Sequence, residues 1–344
     1  MIELIIITAF LSSLITLIVL RPLAIKFNLV DYPTERKTHH GNIPLFGGIC
    51  VFIGLLVPFF FVIEFDKFLL ALFITTSLIF ILGVWDDLVN LKAKTKLVFM
   101  LLISATMINI SGVKIESLGN LFGLSYPLEL GMFSVPITII AVIALTNAIN
   151  MLDGIDGLAG CIVIIAIAGM ICFNLPLEFS PLTMILLAVA SALLPFIIFN
   201  LAPYSKAKVF LGDGGSLFLG YIISWALIYS AENINNFTPS FTLWCVAIPL
   251  FDFVFIIILR IVNKHSLMTA SKDHIHHFLE SLGLSKKIIL LLIIFFALAF
   301  LLIGMLVEKY FPAISFPLFL TLFLFYLIIR VYKNNKRKLK CINE

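Results

Sequence analysis

Between Asn147 and Gly157 the chain reads Asn147-Ala148-Ile149-Asn150-Met151-Leu152-Asp153-Gly154-Ile155-Asp156-Gly157. Amide and carboxylate oxygens crowd this stretch, and long apolar runs flank it on both sides. Ionisable groups at a membrane boundary are costly, which marks them as functional candidates. Oxygen-only donors suit a hard cation such as Mg²⁺. The glycines let backbone turn sharply or approach a ligand closely. Taken alone, the stretch also reads as a polar turn between two helices.

Four further clusters carry chemistry-bearing residues. Arg36-Lys37-Thr38-His39-His40-Gly41-Asn42-Ile43-Pro44, followed by Gly47-Gly48, is basic enough to attract phosphate at a membrane surface. Trp85-Asp86-Asp87 precedes Lys92, Lys94 and Lys96. Adjacent carboxylates repel, so one pKa should rise unless a cation or lysine sits nearby. On a helix the two point about 100° apart and can serve different partners. Lys208 to Ser216 places Asp213 among Gly212, Gly214 and Gly215 at the entry of a helix, a pattern that exposes backbone N–H groups to an anion or metal-bound phosphate. Ser271-Lys272-Asp273-His274-Ile275-His276-His277 holds three of the six histidines. As a short helix closed near Gly283 it puts His274 and His277 on one face. Donating or cationic histidines fit a phosphate better than zinc, because no cysteine partner is near. Asp252, after Pro249, lies inside an apolar run and reads equally as a functional or a satisfied structural acid.

The elements that must position these residues are transmembrane helices. Hydrophobic residues make up 62% of the 344, and charged residues only 12%, far from a soluble domain. The expectation is an all-α, polytopic membrane protein of about eleven spans, each near 17–25 residues. They are placed at Leu4–Leu20, Ile43–Ile63, Phe68–Val84, Leu97–Ile110, Met132–Ile149, Leu158–Phe173, Pro181–Phe199, Ser216–Tyr229, Phe241–Ile261, Ile288–Val307 and Phe311–Tyr332. One domain covers residues 1–332, with a basic cytoplasmic tail at 333–344. Met1-Ile2-Glu3 lacks the basic start of a cleavable signal, so the first run reads as a span. The five cysteines form no CxxC and read as core residues.

Alternate loops hold 20 of the 23 Lys and Arg; only Lys67, Lys114 and Lys309 fall on the other face. The positive-inside rule then predicts a periplasmic N-terminus and a cytoplasmic C-terminus. All the polar clusters fall on the cytoplasmic side. The tail residues Arg330, Lys333, Lys336, Arg337, Lys338 and Lys340 read as a topology anchor beside anionic lipid. A P-loop, GxGxxG or HExxH motif is absent from the sequence, and no soluble basic module suggests nucleic acid.

Together the five motifs, in order from about Arg21 to His277, closely resemble the polyprenyl-phosphate N-acetylhexosamine-1-phosphate transferases. They are Arg36-Lys37-x-His39-x-Gly41-x-Ile43-Pro44-x-x-Gly47-Gly48; Asp86-Asp87; Asn147-x-x-Asn150-x-x-Asp153-Gly154-x-Asp156-Gly157; Gly212-Asp213-x-Gly215-Ser216; and His274-Ile275-His276-His277. The resemblance implies ten or eleven transmembrane helices in a bacterial inner membrane, with the active site on the cytoplasmic face. It implies Mg²⁺ (Mn²⁺ as the alternative), a UDP-activated amino sugar, an undecaprenyl-type lipid phosphate, and a homodimer. UDP-GlcNAc is the expected donor; GalNAc, another HexNAc or a muramoyl-pentapeptide are the alternatives. By the resemblance, Asn150 and Asp213 hold the metal on the diphosphate. Asp86 and Asp87 match the pair linked to the lipid phosphate and its deprotonation. Asp156 matches a nucleotide-side position, with Asn147 nearby and Asp153 in the substrate-binding set. His274, His276 and His277 match a phosphate-contacting motif, with Lys94 and Arg260 as further phosphate contacts. The chain departs from the pattern at Ser271-Lys272-Asp273, where an acid then a basic residue is usual, and at Asn90, where no third acid follows the Asp pair.

The expected products are a lipid-diphosphate sugar, for O-antigen, common-antigen or teichoic-acid synthesis, and UMP. The rival class is a membrane transporter with intramembrane carboxylates such as Asp252. It would show inverted repeats or broken helices with acids near mid-span, whereas these acids cluster at one face.

Overall fold

In the computed structural model the described residues are 2–26, 30–31, 43–60, 66–123, 126–173, 180–202, 208–234, 237–266 and 273–343, without the side chains of 25 and 334–343. The expectations for Arg36 to Asn42, Lys206, Ser271 and Lys272 lie outside them.

Apolar backbone in lipid must bond to itself, and the helix is the local solution. The helices are α1 (Ile2–Lys26), α2 (Gly47–Phe59), α3 (Lys67–Val89), α4 (Ala93–Ser111), α5 (Ser134–Leu152), α6 (Leu158–Phe173), α7 (Pro181–Leu201), α8 (Gly212–Asn233), α9 (Pro239–Cys245), α10 (Ala247–Val262), α11 (Ile275–Glu280), α12 (Lys286–Tyr310) and α13 (Pro312–Asn343). Among the described residues eight helices are long and apolar enough to cross a membrane, or nine if α9 and α10 form one span. Each expected segment overlaps one or two of these helices, although Ile43–Ile63 begins in a strand and ends outside the described residues. Two of them, α2 and α6, have only 13 and 16 residues, and α9–α10 is not straight. It bends by 87° at Val246 (φ −129°, ψ 30°). Pro249 follows in the first turn of α10, where its missing N–H costs nothing.

Among the described residues the fold is all-α except for two strands of two residues, β1 (Val30–Asp31) and β2 (Ile43–Pro44), paired antiparallel. α13 continues without a break to Asn343. Cys50 and Cys245 are buried in the core, as expected, whereas Cys161 is half-buried and Cys172 exposed.

α8 is the axis. It packs against α2, α3, α5, α6 and α9. It is the least apolar of the eight long helices yet the most buried, 89% of its span against 28% for α12. Lipid is as apolar as leucine, so helices associate in a membrane through close packing of small residues rather than by escaping water. α8 supplies Gly214, Gly215, Ser216, Gly220 and Ser224 for this. A Cβ on Gly220 would lie 2.8 Å from Thr146 Cα of α5, and one on Gly48 of α2 would lie 2.4 Å from Gly215 Cα. The segment before α8 is pinned too: Gly47 and Gly48 donate N–H bonds of 2.9 Å to the carbonyls of Phe210 and Leu211.

Overpacking of this kind costs about 1–3 kcal/mol or more. Gly220→Val and Gly48→Val should each lower the thermal midpoint of the detergent-solubilised protein by several degrees, read by dye-monitored unfolding.

Candidate active site

The polar residues that begin α8 meet the end of α3. Gly83 lets the two come together, since a Cβ there would sit 2.6 Å from both Asp213 O and Gly214 Cα. One helical turn later, the Asp87 carboxylate accepts the N–H of Asp213 at 2.8 Å and of Gly214 at 3.0 Å. These are N–H groups that a helix start leaves without internal partners, and the positive end of the α8 dipole favours the carboxylate. Gly212 turns into the helix with φ +75°, and a Cβ on it would lie 2.7 Å from Asp87 Oδ2. Asp87 is thus a cap supplied by another helix.

Asp86 is buried and points to a different partner, as adjacent helical residues must. α3 ends at Asn90 in the left-handed region, and this turn brings the Leu91 N–H to Asp86 Oδ1 at 2.7 Å. Asp86 Oδ2 accepts from Lys96 Nζ at 2.5 Å, and the same ammonium lies 3.6 Å from Asp213 Oδ2. Asp213 Oδ1 accepts from Asn150 Nδ2 at 2.8 Å, and Asn150 also donates to Ser216 Oγ at 2.8 Å. So α3, α4, α5 and α8 each contribute a side chain to one polar knot.

The turn after α5 adds two more carboxylates. Asp156 Oδ2 accepts from the buried Lys208 Nζ at 2.5 Å. Gly157, with φ +76°, donates its N–H to Asn200 Oδ1 at 2.5 Å, and Asn200 donates to Val209 O at 2.8 Å. These bonds tie the 153–157 turn to α7 and to the strand-like approach of α8. Asp153 is half-buried. Burial first, then the negative charge of Asp213, Asp87 and Asp156, pushes its carboxyl well above the usual range. The knot therefore joins five carboxylates (Asp86, Asp87, Asp153, Asp156, Asp213) to two ammonium groups (Lys96, Lys208). Among the described residues no three His, Cys, Asp or Glu side chains form a ready-made metal cage. Mg²⁺ does not need one, because it commonly takes one or two carboxylates and completes its shell with water and substrate phosphate. Asp213 and the Asn150 amide fit that donor chemistry, and the excess of carboxylates over ammonium groups fits a divalent charge.

The histidine segment reaches the knot through one ring. His276 is buried, and its Nε2 would lie 2.4 Å from a Cβ on Gly154. Only glycine fits beneath it. Burial first, then the neighbouring His277 and His274, lowers its pKa to about 3. His274 is not on a shared face with His277. It precedes α11 in extended backbone (φ −62°, ψ 157°), and its Nδ1 lies 2.8 Å from Asp252 Oδ2. His277 Nδ1 turns instead to Glu280 Oε2 at 3.0 Å. The His274 and His276 rings are nearly parallel, 5.8 Å apart.

Other expected residues stand apart. Asn147 donates to Ile143 O at 2.7 Å in its own helix and faces Met100 Sδ at 3.8 Å. Lys94 is exposed; the lysine in the knot is Lys96, two residues on. Arg260 is buried on the last turn of α10, near the charge of Asp273. Arg330 is not a surface anchor. It is buried, donates to Tyr326 Oη at 2.8 Å, lies 3.4 Å from Asp252, and bonds the carbonyl of Asp273. Lys96 and Lys208 were visible as charges in acid-bearing loops. Arg330 carried no signal beyond a basic residue at the end of an apolar run.

Residues 69–231 match the glycosyl transferase family 4. The chain is 36% identical to an undecaprenyl-phosphate alpha-N-acetylglucosaminyl 1-phosphate transferase of Haemophilus influenzae, over 88% of this chain and 86% of that protein. It is 33% identical to the protein of that name from Yersinia pestis, over 92% and 88%. It is 33% identical to a probable undecaprenyl-phosphate N-acetylglucosaminyl 1-phosphate transferase of Bacillus subtilis, over 94% and 89%.

Two outcomes follow from the charge balance. The raised Asp153 carboxyl favours folding below the unfolded value near 3.8 and loses that contribution as pH rises past its folded value. At pH 7.5 without ligands, Asp153→Asn should therefore raise the thermal midpoint while lowering activity at least about 100-fold. His276 behaves oppositely: the unfolded chain takes up its proton near 6.5, the folded chain only near 3. His276→Gln should flatten the fall in thermal midpoint between pH 6.5 and 5.

Proposed function

This chain belongs to glycosyl transferase family 4, and from that premise we propose that it transfers GlcNAc-1-phosphate from UDP-GlcNAc to undecaprenyl phosphate. The products are undecaprenyl-diphospho-GlcNAc and UMP. The observation that carries this reading is the polar knot itself, where Asp86, Asp87, Asp153, Asp156 and Asp213 meet Asn150, Lys96 and Lys208. Relatives with this reaction in their names cover most of the chain.

The reaction breaks the bond between the α–β bridging oxygen and the β-phosphorus of UDP-GlcNAc. It forms a new bond from a lipid phosphate oxygen to that phosphorus, and UMP leaves with the electron pair. Both reactants are anionic, so the protein must gather and neutralise charge rather than supply a strong base. A phosphate monoester is largely ionised at neutral pH, which makes direct attack sufficient. Lys96, shared between Asp86 and Asp213, is placed to pass to an incoming phosphate. Lys208 and Asp156 lie on the side of the 153–157 turn. His276, against Gly154, offers an imidazole at the rim of the same turn. Asp87 keeps the α8 N-terminus in position. Mg²⁺ on Asp213 and Asn150 would offset the diphosphate charge and polarise the β-phosphoryl group.

The reading extends to the membrane. With eleven spans, counting α2 and α6 and taking α9–α10 as one, the N-terminus is periplasmic and the C-terminus cytoplasmic. The Lys and Arg distribution supports this. The site then opens to the cytoplasm, where nucleotide sugars are made, in the bacterial inner membrane. The lipid product begins a cell-surface polysaccharide of the O-antigen or common-antigen type, and the protein works as a homodimer.

The test is an assay in detergent with undecaprenyl phosphate, Mg²⁺ and a panel of UDP-sugars, reading UMP. UMP should appear with UDP-GlcNAc, stop on chelation of the metal, and fall at least about 1,000-fold in Asp213→Ala. No UMP from any sugar with folded protein would overturn the reading.

A further inference from the structure

Away from the carboxylate knot, one polar network joins three elements that the sequence keeps far apart. Asp252 lies on α10, the histidine segment begins α11, and Tyr326 and Arg330 lie on α13. Asp252 is 2% exposed and Arg330 4%. Asp252 Oδ1 accepts the Ile275 N–H at 2.8 Å and the Tyr326 hydroxyl at 3.2 Å, and lies 3.4 Å from Arg330 Nη1. Asp252 Oδ2 faces His274 Nδ1 at 2.8 Å. Arg330 also bonds the carbonyl of Asp273, and its guanidinium stacks 4.3 Å over Phe255 and 4.8 Å over Phe278.

A carboxylate only accepts hydrogen bonds, so His274 must carry its proton on Nδ1. That fixes both the tautomer and the ring plane, as the carboxylate partners of metal-binding and catalytic histidines do. Asp252 and Arg330 also hold the backbone at Asp273 and Ile275, on either side of His274. Two residues on, His276 lies over Gly154 with no slack. Moving the 273–275 backbone would therefore lift His276 from the knot. Breaking a buried charge pair is expensive, whereas replacing both partners often is not. A carboxylate and a guanidinium at this depth are a costly way to fix a loop that apolar packing could fix. What they add is orientation of a titratable ring.

We propose that Asp252 and Arg330 form a positioning pair for the histidine segment, setting His274 by its Nδ1–H and delivering His276 to the substrate phosphates from the far end of α13. Neither residue touches substrate. The inference rests on the reading of the histidine segment as part of the transferase site. It makes the last span a working part of the catalytic machinery. It also gives the histidine segment an acid from α10, where the family pattern has one just before the histidines and this chain has Ser271.

The test is a double-mutant cycle in the UMP assay, with thermal midpoints measured alongside. Asp252→Asn keeps the shape but presents an amide that cannot accept from both Nδ1–H and the Ile275 N–H. It should lower kcat by about 10–100-fold, the usual scale for such supporting groups. Added to His274→Ala, it should cost several-fold less than it does alone, because only the route through the Ile275 N–H is left to lose. Arg330→Lys should recover part of the activity lost in Arg330→Met. The double variant Asp252→Asn/Arg330→Met leaves no unpaired buried charge, so it serves if either single variant fails to fold. It should fold with its kcat still reduced. Full kcat in Asp252→Asn, or equal losses with and without His274, would overturn the proposal while leaving the transferase reading intact. Wild-type protein that releases no UMP would overturn both.

Discussion

Everything at the site hangs on how α8 begins. A helix start leaves its first N–H groups without partners inside the helix, and they must find an acceptor elsewhere. Here Asp87 takes those of Asp213 and Gly214. The carboxylate comes from α3, so the bond that satisfies α8 also fixes α3 against it. Gly83, Gly48, Gly214 and Gly215 are what let the backbones come close enough. Once α8 is seated, Asp213 faces Asn150 from α5 and Lys96 from α4. One adjacent acid pair thus divides its partners, with Asp87 on the helix start and Asp86 on the lysine.

The site so assembled is electrostatically unfinished. Five carboxylates share two lysines, and burial first, then the charge of Asp213, Asp87 and Asp156, raises the Asp153 carboxyl. A resting protein tolerates the strain because the surrounding packing over-determines the geometry, through the Gly157–Asn200–Val209 bonds and the Gly154–His276 contact. A bound divalent cation would relieve it, and the same charge would help bring two mutually repelling phosphates into line. Preorganisation of this kind sits in a bundle whose last long helices, α12 and α13, are otherwise mostly exposed.

Much of this was legible in the sequence because membrane proteins penalise idle polar residues. Each acid in the knot, Asn150 and the histidine segment could be picked out as a polar island in an apolar chain, and their order carried the family. The helices followed from hydropathy, though α2 and α6 are short and the α9–α10 bend was invisible, since a break at Val246 has no compositional mark. The least legible features were pairings. Nothing in the spacing says that Lys96 rather than Lys94 turns inward, since two residues on a helix differ by about 200° and the deciding turn at Asn90 is a tertiary matter. Arg330 looked like a topology charge because it ends a span. Its burial depends on Asp252, 78 positions away, and Asp252 itself could be weighed as structural or functional only until its partners were seen.

The central claim is that the knot exchanges one phosphoester for another at the β-phosphorus. The most direct measurement follows the β-phosphate itself, using UDP-GlcNAc labelled with ³²P at that position, undecaprenyl phosphate and the purified protein. The label should enter the lipid phase while the released nucleotide is unlabelled UMP. Label recovered in the aqueous phase as UDP, with unlabelled lipid-linked sugar, would show that the sugar alone is transferred and would contradict the account.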